Sequence, residues 1–251
     1  NLVFRAGEGM FMGGAMKAEG GRGAAGGSLT VELNPKLRNK PSILISGGLF
    51  PDDVNKTLPR TIVISDNAET SVPINLAQGG SIASNKYSGR AFFNETQINS
   101  ASFDSRNFKT DVLAANGKYA GSIQFNGDIN LNATRQITLD TPTLQTTNGK
   151  VGLNAPYVAL GSTQSRIDTD LGEGKFATTL APSAKSGHGK LSVNAKGIDV
   201  IGGLSFNGFN KVNLLSQGDV RTVGIRIRPE TKDFLGELKL AGNLTIQASQ
   251  V

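Results

Sequence analysis

Apolar and polar residues alternate along most of this chain in bursts too short to be helices. From Gly121 onward the bursts are nearly all apolar–polar–apolar triplets: Ile123-Gln124-Phe125, Ile129-Asn130-Leu131, Ile137-Thr138-Leu139, Val151-Gly152-Leu153 and Val158-Ala159-Leu160. The pattern resumes with Leu191-Ser192-Val193, Ile198-Asp199-Val200, Leu204-Ser205-Phe206, Val212-Asn213-Leu214, Ile225-Arg226-Ile227, Leu238-Lys239-Leu240 and Leu244-Thr245-Ile246. A period of two puts both apolar side chains on one face of a strand and the polar one on the other. Earlier bursts are Leu29-Thr30-Val31-Glu32-Leu33, Ile43-Leu44-Ile45 and Ile62-Val63-Ile64. A less regular stretch from Val72 to Val112 carries Tyr87, Phe92, Phe93, Phe103 and Phe108. Helical periodicity is almost absent; the nearest thing to a helix start is Ser100–Asn107, and its serines and asparagine argue against it.

Turn residues separate the bursts. Asn116-Gly117, Asn126-Gly127, Asn148-Gly149 and Asn207-Gly208 predict tight turns. Three bursts with their turns occupy about 20 residues, the size of one coil of a parallel β-helix. A short strand cannot bury its apolar face alone, and stacked coils bury a shared column. The sequence therefore predicts an all-β chain, a right-handed single-stranded parallel β-helix, with a sandwich or jelly roll as the competing architecture. Ile129, Leu131, Ile137, Leu139, Val151 and Leu153 are the predicted core. Residues 1–27 read as a Gly-rich irregular segment, 28–120 as a less regular β-rich region, and 121–251 as regular coils.

Composition narrows the chemistry. The chain has 251 residues, no Cys and one His, which excludes thiolate metal sites and a His-rich zinc site. Its net charge is +6, but the basic residues are scattered, so nucleic acid is not an expected partner. No apolar run is long enough to span a bilayer as a helix. Gly21-Arg22-Gly23-Ala24-Ala25-Gly26 spells a dinucleotide fingerprint but leads into a strand, not a helix. Gly172–Ala177 resembles the same fingerprint, and no P-loop exists.

His188 reads as an isolated loop histidine. Asp52 with Asp53, and Asp168 with Asp170 and Glu173, are the acidic groups that paired-carboxylate sugar chemistry would need. No acidic ladder is evident, Trp is absent and Tyr is rare, so no catalysis, cofactor or metal is expected. Arg221, Arg226 and Arg228 form a candidate weak surface-contact stripe.

The phrases Gly127-Asp128-Ile129-Asn130-Leu131-Asn132-Ala133, Lys190-Leu191-Ser192-Val193-Asn194-Ala195 and Gly242-Asn243-Leu244-Thr245-Ile246-Gln247-Ala248 share one idiom. It resembles the β-helical shaft of filamentous haemagglutinin-like exoproteins, the large adhesins of bacterial two-partner secretion. The resemblance covers about half the chain and implies a secreted, cell-surface shaft serving attachment, biofilm formation or contact-dependent competition. It implies an outer-membrane two-partner secretion transporter as partner, and glycans or proteins of host or bacterial surfaces as targets. The alternative is a carbohydrate-active β-helix enzyme or a phage tail-fibre-like glycan-binding protein.

Overall fold

The computed structural model describes residues 1–7, 9–22, 24–33, 60–67, 87, 89–110, 121–163, 167–170, 176–226 and 234–251. The first half supplies β1 (Leu2–Ala6), β2 (Met10–Phe11), β3 (Ser28–Leu33), β4 (Thr61–Ser65), β5 (Arg90–Asn94), helix α1 (Glu95–Ser100) and β6 (Ser105–Thr110). Next come β7 (Ser122–Asn126), β8 (Ile129–Asn132), β9 (Gln136–Asp140), β10 (Thr143–Thr146), β11 (Lys150–Asn154), β12 (Tyr157–Ser162), β13 (Ile167–Asp170) and β14 (Phe176–Thr179). The last third adds β15 (Gly189–Ala195), β16 (Gly197–Asn207), β17 (Phe209–Ser216), β18 (Val220–Val223), β19 (Ile225–Arg226), β20 (Phe234–Leu235), β21 (Glu237–Leu240) and β22 (Asn243–Gln247).

Thirteen strands form one sheet, in the order β1-β3-β6-β9-β12-β16-β10-β7-β4-β5-β2, with β18 and β21 also on β16. Every pairing within it is parallel. The sheet curls through 310° round one axis. Strand β16 makes this possible. Its first half pairs with β12 and its second half with β10, and the register shifts at Gly202 and Gly203 between them. Gly202 has φ +55, a left-handed conformation that glycine adopts without cost. A second, five-stranded sheet runs β22-β17-β15-β11-β8. Inward side chains of both sheets merge into one apolar core that includes Phe93, Phe108, Leu139, Leu153, Val193 and Phe206.

The triplets on β8, β9 and β11 behave as period two requires, whereas Leu244 and Ile246 on β22 are exposed and the polar Asp199 and Ser205 on β16 are buried. All six predicted core residues are buried, at 2 % exposure or less. Three of the four Asn-Gly turns also form, and Asn116-Gly117 lies outside the described residues. Gly127, Gly149 and Gly208 have φ of +88, +123 and +80. A Cβ on Gly149 would run into the Gly127 carbonyl, so stacked turns need glycine for space as well as for conformation.

The architecture differs from the expected one. An open, right-handed β-helix with coils of about 20 residues is replaced by a single closed parallel β-barrel. The physical reason lies in the connections. Partner residues on adjacent strands are 27 apart for Arg5 and Glu32, 77 for Thr30 and Asn107, and 31 for Lys109 and Asp140. The separation is 22 for Asn132 and Asn154 but 40 for Asn154 and Asn194. The longer of these two intervals holds an antiparallel hairpin, β13–β14, and a second hairpin, β19–β20, follows β18. Unequal connections do not build a repetitive shaft. The resemblance to a haemagglutinin-like exoprotein, with its keywords, is corrected on the same ground.

The helix also falls elsewhere than the sequence suggested. It starts at Glu95, where the Asn94 side chain accepts a hydrogen bond from the Gln97 N–H at 3.3 Å. Asn94 and Gln97 have the spacing of a capping box. Helix α1 then covers the free edge of β8. The Asn130 N–H donates to Glu95 Oε1 at 2.9 Å, and Asn99 Nδ2 donates to the Asn130 carbonyl at 2.7 Å. Side chains stand in for the missing neighbour strand, so this edge is blunted against foreign strands.

Candidate functional site

The outer face of the five-stranded sheet carries polar side chains in register. Strands β8, β11, β15 and β17 point Ile129, Leu131, Val151, Leu153, Leu191, Val193, Val212 and Leu214 inward. Their polar partners must then face out. In register, Asn130 lies beside Gly152, then Ser192, then Asn213. Asn132, Asn154 and Asn194 form a second row. Their amides are chained: Asn154 Nδ2 donates to Asn130 Oδ1 at 2.7 Å and Asn132 Oδ1 at 3.1 Å, and Asn194 Nδ2 donates to Asn154 Oδ1 at 2.9 Å.

A third row is charged. Lys150 pairs in register with Lys190, and Lys190 with Lys211. All three are exposed. Adjacent strands lie about 4.8 Å apart, and like charges directly opposite each other destabilise a sheet. The other large surface is built the opposite way. Arg5, Glu32, Lys109 and Asp140 alternate in sign across β1, β3, β6 and β9. Ion pairs of 3.1 Å (Arg5–Glu32) and 3.0 Å (Lys109–Asp140) join them.

At the head of the lysine row lies a cavity of about 600 Å³, lined among others by Asp66, Asp128, Lys150, His188 and Lys190. Two carboxylates are stacked there on successive turns. Asp66 Oδ2 accepts from the Asp128 N–H at 3.2 Å, and Asp128 Oδ1 accepts from the Lys150 N–H at 2.7 Å. Gly127 makes this stacking possible, because a Cβ there would collide with the Asp66 carboxylate. The cavity therefore gathers carboxylates, an imidazole and ammonium groups, the side chains that move protons and hold anions.

The wall itself buries hydroxyls: Thr110 and Thr141 share a hydrogen bond of 2.7 Å, and Thr61 and Ser122 one of 3.0 Å. A second cavity, of about 830 Å³, lies at the other end of the amide rows, lined by Asn132, Asn154, Arg106 and Asp104 among others. On the opposite wall, Arg221 grips the buried Asp199 with Nε at 2.7 Å and Nη2 at 2.8 Å, and the Tyr157 hydroxyl donates to Asp199 at 2.7 Å. Burial, with the Asp199 hydrogen bond, pushes the Tyr157 hydroxyl up to about 12.

The candidate residues read from the sequence are distributed unevenly over this structure. Arg221, on β18, is tied to Asp199 of β16, while Arg226 sits on the separate β19–β20 pair, so the two arginines share no strand. Arg228, Asp52, Asp53 and Glu173 lie outside the described residues, and Asp168 and Asp170 are on hairpin strand β13. His188, read as an isolated loop residue, faces the acidic cavity. Asp66 and Asp128 were not among the candidates. Both adjoin predicted strand ends, and for Asp128 the adjacent Asn126-Gly127 turn was the signal available. Among the described residues no group of acidic and His side chains has the geometry of a metal site. No helix among them is long and apolar enough to cross a membrane.

No family model, curated protein or solved structure matches the chain. The transporter partner expected from the exoprotein resemblance loses its basis with the closed barrel. The expectation of an inert, non-catalytic adhesive shaft is corrected as well. A closed wall with buried, hydrogen-bonded Thr and Ser hydroxyls is more consistent with an active site than with a strut. Burying a hydroxyl costs free energy unless it is hydrogen-bonded, and Thr143 and Ser205 bury hydroxyls that have no partner among the described residues.

Proposed function

We propose that this protein is an enzyme acting on an acidic polysaccharide. The observation that carries the reading is the in-register row Lys150, Lys190 and Lys211, which ends in the cavity holding Asp66, Asp128 and His188. Three stacked ammonium groups match a chain of regularly spaced carboxylates or sulfates. The neighbouring amide rows offer donors and acceptors to sugar hydroxyls. The acidic cavity supplies groups for proton transfer to and from a glycosidic oxygen. In this arrangement the lysines bind, Asp128 and Asp66 act as the acid–base pair, and His188 is within the same cavity to shuttle a proton. A place outside the cell or at the bacterial surface belongs to the same proposal, because acidic polysaccharides of this kind are extracellular polymers.

The test is release of reducing ends from a panel of acidic and neutral polysaccharides. Activity on an acidic polymer, reduced at least about a hundredfold in Asp128→Asn, supports the reading. Equal rates for the natural chain and Asp128→Asn, or activity confined to neutral polymers, would overturn it.

A further inference from the structure

A core position has been given to an arginine. On β6, Arg106 stands in register with Leu29 of β3 and Ile137 of β9, both fully buried. Its own exposure is 2 %. Period two places it on the same face as Phe108, inside the wall. Its Nη2 donates to the Ile98 carbonyl, at 3.2 Å, near the end of α1. Its Nε and Nη1 are buried and have no hydrogen-bond partner among the described residues. These two atoms carry three of the five guanidinium N–H groups. Burial lowers the guanidinium pKa to about 10, so the group is still charged at neutral pH.

Arg106 is among the residues that line the 830 Å³ cavity. That volume is far larger than a single water needs and lies in the range of small-ligand sites. We propose that this cavity is a carboxylate-binding site anchored by Arg106, and that its ligand is a uronate unit. The uronate identity rests on the acidic-polysaccharide reading; the carboxylate site itself does not.

Charge decides between oxyanions. Among the described residues, the other charged groups lining the cavity are Glu19 and Asp104, and no lysine joins them. A single guanidinium neutralises one negative charge. With two carboxylates already in the lining, a singly charged carboxylate is repelled less than a doubly charged phosphate. The rest of the lining suits a sugar ring. Asn132 and Asn154 belong to the amide rows, and Thr134 already donates to Asp104 Oδ1. The cavity and the lysine row therefore lie at opposite ends of one polar face: β11 begins at Lys150, in the first cavity, and ends at Asn154, in the second. A strand of that length covers about 13 Å, on the order of two or three sugar units.

Calorimetric titration of the natural chain with glucuronate, glucose and inorganic phosphate tests the proposal. Glucuronate should bind at least about tenfold more tightly than either of the others, and Arg106→Gln should abolish that preference. In nitrogen-15 spectra, the Arg106 Nε–H signal should shift on glucuronate addition and stay put with glucose. Equal affinities, no glucuronate binding, or a preference retained in Arg106→Gln would overturn the site; tighter phosphate binding would overturn the carboxylate assignment. Should Arg106→Gln fail to fold, an unmoved Arg106 signal at high glucuronate in the natural chain overturns the proposal by itself. Lys190→Gln separates the two readings. It should weaken polymer binding and leave the glucuronate monomer's affinity unchanged. Glucuronate binding without polymer cleavage would sink the enzyme reading and leave the site standing.

Discussion

At the scale of single residues, the informative positions are those where the local rule is broken. Arg106 occupies a column otherwise filled by Leu29 and Ile137, and among the described residues one carbonyl alone offsets its charge. Because its folded pKa is depressed, the folded state binds fewer protons than the unfolded one from about pH 10 up to the ordinary arginine range. Stability should therefore rise across that window, and at neutral pH the residue costs on the order of 3 kcal/mol. Arg106→Leu should then raise the denaturation midpoint of the unliganded protein, as a chemical-denaturation curve at pH 7 would show; a fall of several kcal/mol would mean the guanidinium is well compensated. Tyr157 has the opposite sign. Its folded pKa is raised to about 12 by burial and by Asp199, so its contribution is full below about pH 10 and is lost as pH climbs to 12. In Tyr157→Phe, stability should fall less steeply over that alkaline window than in the natural chain, measured by melting at pH 9 and pH 11.5.

At the scale of elements, period two was legible because it is local. The triplets Ile129-Asn130-Leu131 and Val151-Gly152-Leu153 announced which side chains go in, and both became strands with those residues buried. Asn126-Gly127 and Asn148-Gly149 announced turns for the same reason. Arg106 and Phe108 obey that period too, but their stretch read as a weak helix start, and its register with Leu29 and Ile137 is set by residues far off in the chain. The acidic cavity was hidden likewise: Asp66 and Asp128 are 62 residues apart, and nothing local joins them. Burial also differs sharply along the five-stranded sheet. Leu153 is fully buried on β11, whereas Leu244 on edge strand β22 is 39 % exposed. Leu153→Ala should cost about 2–5 kcal/mol and Leu244→Ala well under half of that. Urea unfolding of both variants checks this, and equal costs would contradict the assignment of β22 to the sheet's open edge.

At the scale of the whole molecule, the connections decided the architecture. Short turns near Ile129, Val151 and Val212 suggested an even repeat, but two inserted hairpins, unequal intervals and the shared strand β16 bend the parallel strands into one closed wall. Two cavities lie at the ends of one polar face on the five-stranded sheet. The charge pattern across that face is the central claim: a same-sign lysine row is stable in a sheet when an anionic chain lies along it. The direct measurement is affinity for an acidic polysaccharide, and for the same polymer with its carboxyl groups methyl-esterified, across a series of salt concentrations. The account predicts binding of the acidic form that weakens steeply with salt, no comparable binding of the esterified form, and loss of the salt dependence in Lys150→Gln/Lys190→Gln/Lys211→Gln. Equal affinity for both polymers, or a triple variant that binds like the natural chain, would contradict it.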